Sequence, residues 1–233
     1  MDNAHSSIER FHNREQVAQM TKVHNSLSVA RISNRCTVLG PGVRAVVWVQ
    51  GCPLRCRGCV ASETLPFAGG TVLEARALGR QLSDLDISGI TFSGGEPTSQ
   101  ASALVSLIDE AVAYRPDLTF MSYSGFTIEY LLKQRDPDQL AFLRRLDLLV
   151  DGPYVESLHT NLRWRGSSNQ RIIFMSNRLS SLTEEFLNDR GTWIEFESNI
   201  DSVQWMGIPP LGFRERFERG MESIGVTLGH KQE

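Results

Sequence analysis

The chain has 233 residues, 41% of them hydrophobic and 22% charged, with a formal net charge of −3. That suits one domain of good size with appendages and a real core, and it gives no global field to recruit nucleic acid or an anionic membrane. No apolar run reaches the roughly 18 residues that would span a bilayer, and the opening MDNAHSSIERFHNREQ lacks the apolar centre of a signal peptide; a cytoplasmic protein with reduced thiols is expected.

Residues 1–25 are polar, without sustained periodicity, and read as a loosely held extension. AVVWVQG (45–51) is a continuous run of β-branched and aromatic type, the mark of a strand buried on both faces. GCPLRCRGCV (51–60) follows, with Cys52, Cys56 and Cys59 spaced C-x3-C-x2-C. TVLEARALGRQLSDL (71–85) carries helical spacing through Leu73, Ala77, Leu78 and Leu82. GITFSGGEP (89–97) is a second buried strand ending in a glycine turn, and Pro97 is placed to start the helix TSQASALVSLIDEAVAYR (98–115). LTFMSYSG (118–125) gives a third strand, TIEYLLKQ (127–134) and DQLAFLRRL (138–146) helical pieces, and DLLVDGP (147–153) a fourth strand. RIIFMS (171–176) is a fifth, followed by a short helix around SLTEEFLND (181–189).

Strands alternating with helices predict a parallel α/β sheet with right-handed crossovers. The end of the chain differs: TWIEFESNIDSVQWMG (192–207) reads as a hairpin about a polar turn, and GFRERFERGMESIG (212–225) as an amphipathic helix. We place a core at 26–178 and an accessory extension at 179–233.

The three clustered cysteines carry the chemistry. With one distant partner, Cys36, they make a poor disulfide framework. Structural zinc wants four protein ligands, usually in two separated pairs. A cubane cluster held by three thiolates leaves one iron open to bind something else, and the loop sits beyond the C-terminal end of a strand, where open α/β sheets bind ligands. Cys36 reads as a buried free thiol. His5, His12, His24, His159 and His230 form no pair with metal-ligand spacing; His159 is a candidate for the cofactor edge.

In SGGEP, Gly94 and Gly95 allow the backbone to approach a ligand closely, and Glu96 adds a charge suited to an ammonium group. The bland alternative is a tight turn with a solvent-facing glutamate. Cysteine loop and SGGEP together resemble the radical S-adenosylmethionine superfamily. The resemblance implies a partial parallel (β/α) barrel, a [4Fe-4S] cluster on Cys52, Cys56 and Cys59, and S-adenosylmethionine bound to the open iron, with its amino group at Gly94, Gly95 and Glu96. Reductive cleavage then yields methionine and a 5′-deoxyadenosyl radical that abstracts a hydrogen atom, the cofactor carrying the difficult step.

GPGVRAVVWVQGCPLRCRGCVASET (40–64), FMSYSGFTIEYL (120–131) and DLLVDGPYVESLHTNLRWRGSSNQRII (147–173) resemble the anaerobic ribonucleotide reductase activating proteins. By that resemblance Ser122 and Ser124 lie on the strand end that meets the ribose and methionine side, Asp151 sits near the cofactor, and Arg163 or Arg165 could pair a carboxylate, with Asn169 and Gln170 nearby. Asp151 could equally form a turn, and the arginines a solvated loop cap. Two positions depart from the superfamily: Gly58 replaces the aromatic that often precedes the third cysteine, and Pro153 stands where some activases have a basic residue.

The expected function is therefore hydrogen abstraction from a glycine of a glycyl-radical protein such as anaerobic ribonucleotide reductase, with a flavodoxin or ferredoxin-like electron donor. One alternative keeps the chemistry and acts on a small metabolite or peptide, the extension closing over it; another is a non-catalytic iron–sulfur or zinc protein. Trp193, Phe196, Trp205 and Phe213 read as hairpin packing rather than a substrate box, and RERFER as a solvated helix face.

Overall fold

The computed structural model describes residues 25–198 and 203–226. Residues 1–24 of the expected extension, with His5, His12 and His24, lie outside the described residues, as do residues 199–202 of the hairpin turn and His230.

Four central strands run parallel, β2 (Arg44–Val49), β4 (Gly89–Gly94), β5 (Thr119–Ser124) and β6 (Leu148–Asp151). All six residues of β2 and all four of β6 are buried, as continuous apolar runs require in a sheet covered on both faces. The sheet as a whole is mixed, which corrects the all-parallel expectation. β1 (Ser26–Cys36) and β3 (Thr71–Glu74) add antiparallel strands on one side, and β7 (Arg171–Phe174) an antiparallel strand on the other, in the order β3-β1-β2-β4-β5-β6-β7. A parallel neighbour needs a crossover that carries the chain back to its starting end. The link from β6 to β7 contains only a 3-10 turn, Glu156–Leu158, and stays at one end, so β7 returns in the opposite direction.

The helix expected from residue 71 starts later. Thr71–Glu74 pairs with Ser26–Val29, and helix α1 (Ala75–Ser83) begins where the Glu74 carboxylate accepts from the Arg76 and Ala77 amides. Pro97 opens a 3-10 turn, Pro97–Gln100, that leads into α2 (Ala101–Tyr114). Thr127 and Asp136 cap α3 (Ile128–Gln134) and α4 (Pro137–Leu143).

These helices cover one face of the sheet. Ala45, Val47 and Val49 of β2 pack there with Leu78 and Leu82 of α1, Leu104 and Leu107 of α2, and Phe142 of α4. The alternate residues Val46 and Trp48 face the other way, against Cys36, Leu39 and Met206. Met121, Leu148 and Val150 share that second face with Trp164 and Leu187. It is covered by loops, by the short helix α5 (Glu184–Leu187) and by the hairpin β8 (Ile194–Ser198) and β9 (Val203–Gly207). Helix α6 (Phe213–Ser223) closes on the hairpin through ring contacts of Phe213 with Trp205 and of Phe217 with Phe196.

At the N-terminal ends of the parallel strands lies a polar plug. The fully buried Arg44 donates five hydrogen bonds, to Thr91 Oγ1, Thr119 Oγ1 and the carbonyls of Pro41, Ile90 and Thr119. Burial lowers its pKa to about 10, and the acceptors hold the guanidinium in place without a direct carboxylate partner.

Candidate active site

The cysteine loop leaves the C-terminal end of β2 at Gly51, whose φ of 96° is a left-handed value that favours glycine. Its base is clamped: Gly51 N donates to Thr64 O and Cys52 N to Leu65 O, while Gln50 Nε2 donates to Pro66 O at 2.7 Å. Within the loop Cys59 N donates to Cys56 O, making a tight turn between those two cysteines. Cys52 is buried, Cys56 and Cys59 are half-buried, and all three are free thiols.

The glycine turn at the end of β4 packs directly under this loop. A β-carbon on Gly94 would lie 2.6 Å from Val49 N, and one on Gly95 would collide with the Gly51 carbonyl. Both glycines are thus required by the approach of β4 to β2, a demand of the fold that the sequence reading assigned to a ligand. Gly95 N and Glu96 N donate to Val49 O and Gly51 O, so turn and cysteine loop share one anchor.

Glu96 does not face solvent. Its carboxylate is buried and accepts from Thr98 N, Thr98 Oγ1 and Ser124 Oγ on one oxygen and from Gly125 N on the other. Burial raises its pKa, and these four donors work against the rise. The side chain joins the ends of β4 and β5, which brings Ser124 beside the glycine turn.

Cys52, Cys56 and Cys59 line one cavity of about 600 Å³ together with Gly94, Gly95, Glu96 and Ser124. Burial pushes the Cys52 and Cys59 thiols up, and neighbouring thiolates push them further. Thiols buried in this way, Cys52 and Cys59, are stabilised as thiolates by a bound cationic centre. Among the described residues no three His, Cys, Asp or Glu side chains are grouped as a single metal ion would need. Three thiolates that each bind a different iron of one cluster need no such convergence, so the donor set fits a four-iron cluster better than a lone zinc.

Ser122, Asp151 and Arg165 lie outside the cavity lining. Ser122 is buried in β5 and donates to Tyr123 O. Asp151 accepts from Ile128 N at the start of α3 and pairs with Arg171, which also holds Glu129. Arg165 Nη2 donates to Leu187 O and Asn188 Oδ1, and Arg163 pairs with Asp189, so both arginines face the residues around α5. Asn169 and Gln170 fasten two loops together. Asn169 donates to Pro153 O and Gln170 Nε2 to Gly152 O, while Gln170 Oε1 accepts from Gly166 N and Ser167 N.

That fastening brings Tyr154 to the cavity, a residue the sequence reading did not single out, and sets it beside His159. Tyr154 Oη and His159 Nδ1 are 3.2 Å apart, and His159 Nε2 is buried with no partner. The Tyr154 ring lies 3.4 Å from where a β-carbon on Gly58 would stand. An aromatic ring is thus supplied next to Gly58 by a different loop, at the position where the expected aromatic is missing. The signal in the sequence was that substitution itself. The tail also reaches the cavity, through β9 and the residues that follow it.

Among the described residues no helix is long and apolar enough to cross a membrane. The profile of the 4Fe-4S single cluster domain family matches residues 38–173, more than half of the chain. An anaerobic ribonucleoside-triphosphate reductase-activating protein of Enterobacteria phage T4 is 33% identical over 140 residues, covering 58% of this chain and 86% of the relative. Proteins of the same description from Vibrio cholerae and Haemophilus influenzae are 33% identical over 143 residues and 32% over 142, covering 58% and 57% of this chain and 90% and 88% of theirs. With three free thiols on one cavity inside the matched segment, the chain belongs to the 4Fe-4S single cluster domain family, among the anaerobic ribonucleoside-triphosphate reductase-activating proteins.

Proposed function

We propose that this chain activates an anaerobic ribonucleoside-triphosphate reductase by radical S-adenosylmethionine chemistry, with a four-iron cluster on Cys52, Cys56 and Cys59. The observation that carries the reading is the meeting of those three thiols with the glycine turn on one cavity, in a chain of this family. When bound and reduced, the cluster and S-adenosylmethionine supply a 5′-deoxyadenosyl radical that takes a hydrogen atom from a glycine of the target.

The chain's own residues bind, orient and shield. The clamped base of the cysteine loop fixes the thiol of Cys52, and the Cys56–Cys59 turn fixes the other two. Glu96 positions the turn at Gly94 and Gly95 by tying it to Ser124 and Gly125, which leaves the recognition of the methionine amino group to the turn rather than to a free carboxylate. Tyr154 offers a ring for the nucleoside side. Asp151 and Arg165 act at one remove, Asp151 by fixing the end of β6 and Arg165 by holding the loop before β7 against α5.

The same proposal reads the parallel strands β2, β4, β5 and β6 as part of an open (β/α) barrel, with the core at 26–178 and the accessory extension at 179–233. A flavodoxin or ferredoxin-like donor supplies the electron, and a reducing cytoplasm keeps the thiols ready for iron. The test is anaerobic reconstitution with iron and sulfide, reduction, and an assay for 5′-deoxyadenosine, with Cys56→Ala as the blank. Product above the blank and a glycyl radical on added reductase support the proposal; a confirmed four-iron cluster that yields neither overturns it.

A further inference from the structure

The family match ends at residue 173, yet the cavity extends beyond it: one wall is built from β9 and the loop that follows. Side chains of a strand alternate between two faces, so a strand turning one face to a cavity lines it with every second residue. All five residues of β9, Val203–Gly207, line this one. The cavity therefore borders the edge of β9. β8 occupies the opposite edge, and among the described residues no strand pairs with this one. Among the described residues Arg31 Nη1 reaches in, to the Gln204 side chain at 3.2 Å and toward the Trp205 carbonyl at 3.5 Å, the long limit of a hydrogen bond.

A row of main-chain donors and acceptors beside a cavity is a template for an extended main chain. The lips of the cavity suit the same guest. After β9 the chain runs Ile208, Pro209, Pro210, Leu211, and two consecutive prolines hold this lip in a preset backbone conformation. Leu211 is 53% exposed on it, and Val60, on the cysteine loop and lining the same cavity, is 42% exposed. A small metabolite would engage only part of a strand edge and of two apolar lips at the surface. A protein segment uses both.

We propose that the target protein enters as an extended segment that pairs its main chain with the outer edge of β9 and seats apolar side chains flanking its glycine against Leu211 and Val60. A glycine at the centre has no side chain to hold the segment away from the cysteine loop. This inference rests on the activase reading and assigns to the extension the recognition of the partner.

The experiment titrates the full-length, cluster-loaded chain, without oxygen, with the anaerobic ribonucleoside-triphosphate reductase of the same organism. Affinity is followed by fluorescence anisotropy, and amide hydrogen exchange over residues 203–212 by mass spectrometry. Added reductase is expected to slow exchange in Val203–Gly207 by about 10-fold or more, and Leu211→Asp to weaken Kd about 10-fold while Leu211→Met stays within about 2-fold. Leu211 is exposed, so an unchanged thermal melt verifies that the Asp variant is folded. Equal affinity of wild type and Leu211→Asp, with exchange in β9 unmoved, would overturn the inference and leave the activase reading standing. A wild-type chain that neither binds the reductase nor places a glycyl radical on it would sink the activase reading, and this inference with it.

Discussion

The two ends of the parallel strands treat buried polar groups in opposite ways. At the N-terminal end Arg44 has every donor engaged, and Asp147 accepts from Phe120 N, Ser176 and Arg178. At the C-terminal end, beside the cavity, His159 keeps a buried ring nitrogen without a partner among the described residues, and three thiols stand free. Saturated networks hold a fold; polar groups left open beside a cavity remain available to what enters it. Glu96 shows that the boundary runs within the site itself, since it lies at the cavity end and is saturated.

The sharpest break of this comparison is Cys56→Ala. It removes one ligand of an unsaturated set, so cluster absorbance and 5′-deoxyadenosine are expected to fall to background, while thermal stability of the metal-free chain moves by less than about 1 kcal/mol. Arg44→Met does the reverse at the other end. It leaves five acceptors without their donor in the core and is expected to destabilise by about 3–5 kcal/mol in denaturant unfolding. A loss under about 1 kcal/mol would mean that the network is not needed by the fold.

Glu96→Gln tests the saturated member of the site. One acceptor oxygen becomes an amide facing donors, and a loss of about 1–3 kcal/mol is expected. The pH dependence sharpens this. Burial raises the Glu96 pKa, so the folded chain keeps that proton to higher pH than the unfolded chain does. The unfolded state binds fewer protons in that window, and stability falls as pH rises from the ordinary carboxylate value through the raised one, then levels off. The Gln variant lacks this contribution, so the wild-type-minus-variant difference measured by unfolding should shrink across that window and stay flat above it.

The smallest effect belongs to Tyr154→Phe. It removes one partly buried hydrogen bond, to His159, and is expected to lower stability by about 0.5–1.5 kcal/mol. The ring stays beside Gly58, so the Michaelis constant for S-adenosylmethionine should be nearly unchanged, whereas Tyr154→Ala should raise it. Equal effects of the two would show that the hydroxyl, not the ring, is what the cavity uses.

Sequence reading found what is local. AVVWVQG announced β2 because burial on both faces leaves no polar alternation to confuse the pattern. The cysteine spacing and SGGEP likewise sit within single loops, and the structure sets them side by side. β1 escaped because Arg31, Ser33 and Arg35 interrupt its apolar positions, although Leu27 and Val29 keep the alternation. β3 was absorbed into a helix because Leu73 fits either period. The direction of β7 depends on where the chain stands after Gly152, which no property of RIIFMS encodes. Tyr154 and His159 reach the cavity on a loop that a later segment fastens, through Asn169 and Gln170 among others. The buried position of Glu96 was equally invisible, since three of its four donors come from Ser124 and Thr98 side chains and a distant amide.

Met206 bears on the solubility of the chain as well as on its shape. It is buried against Trp48 and Cys36 on the sheet face that the four larger core helices do not cover. Seated there, it keeps water from Trp48 and Cys36. A chain without the hairpin would bare that apolar patch to association. The hairpin is thus a cover as well as a cavity wall, and it does that work through one methionine.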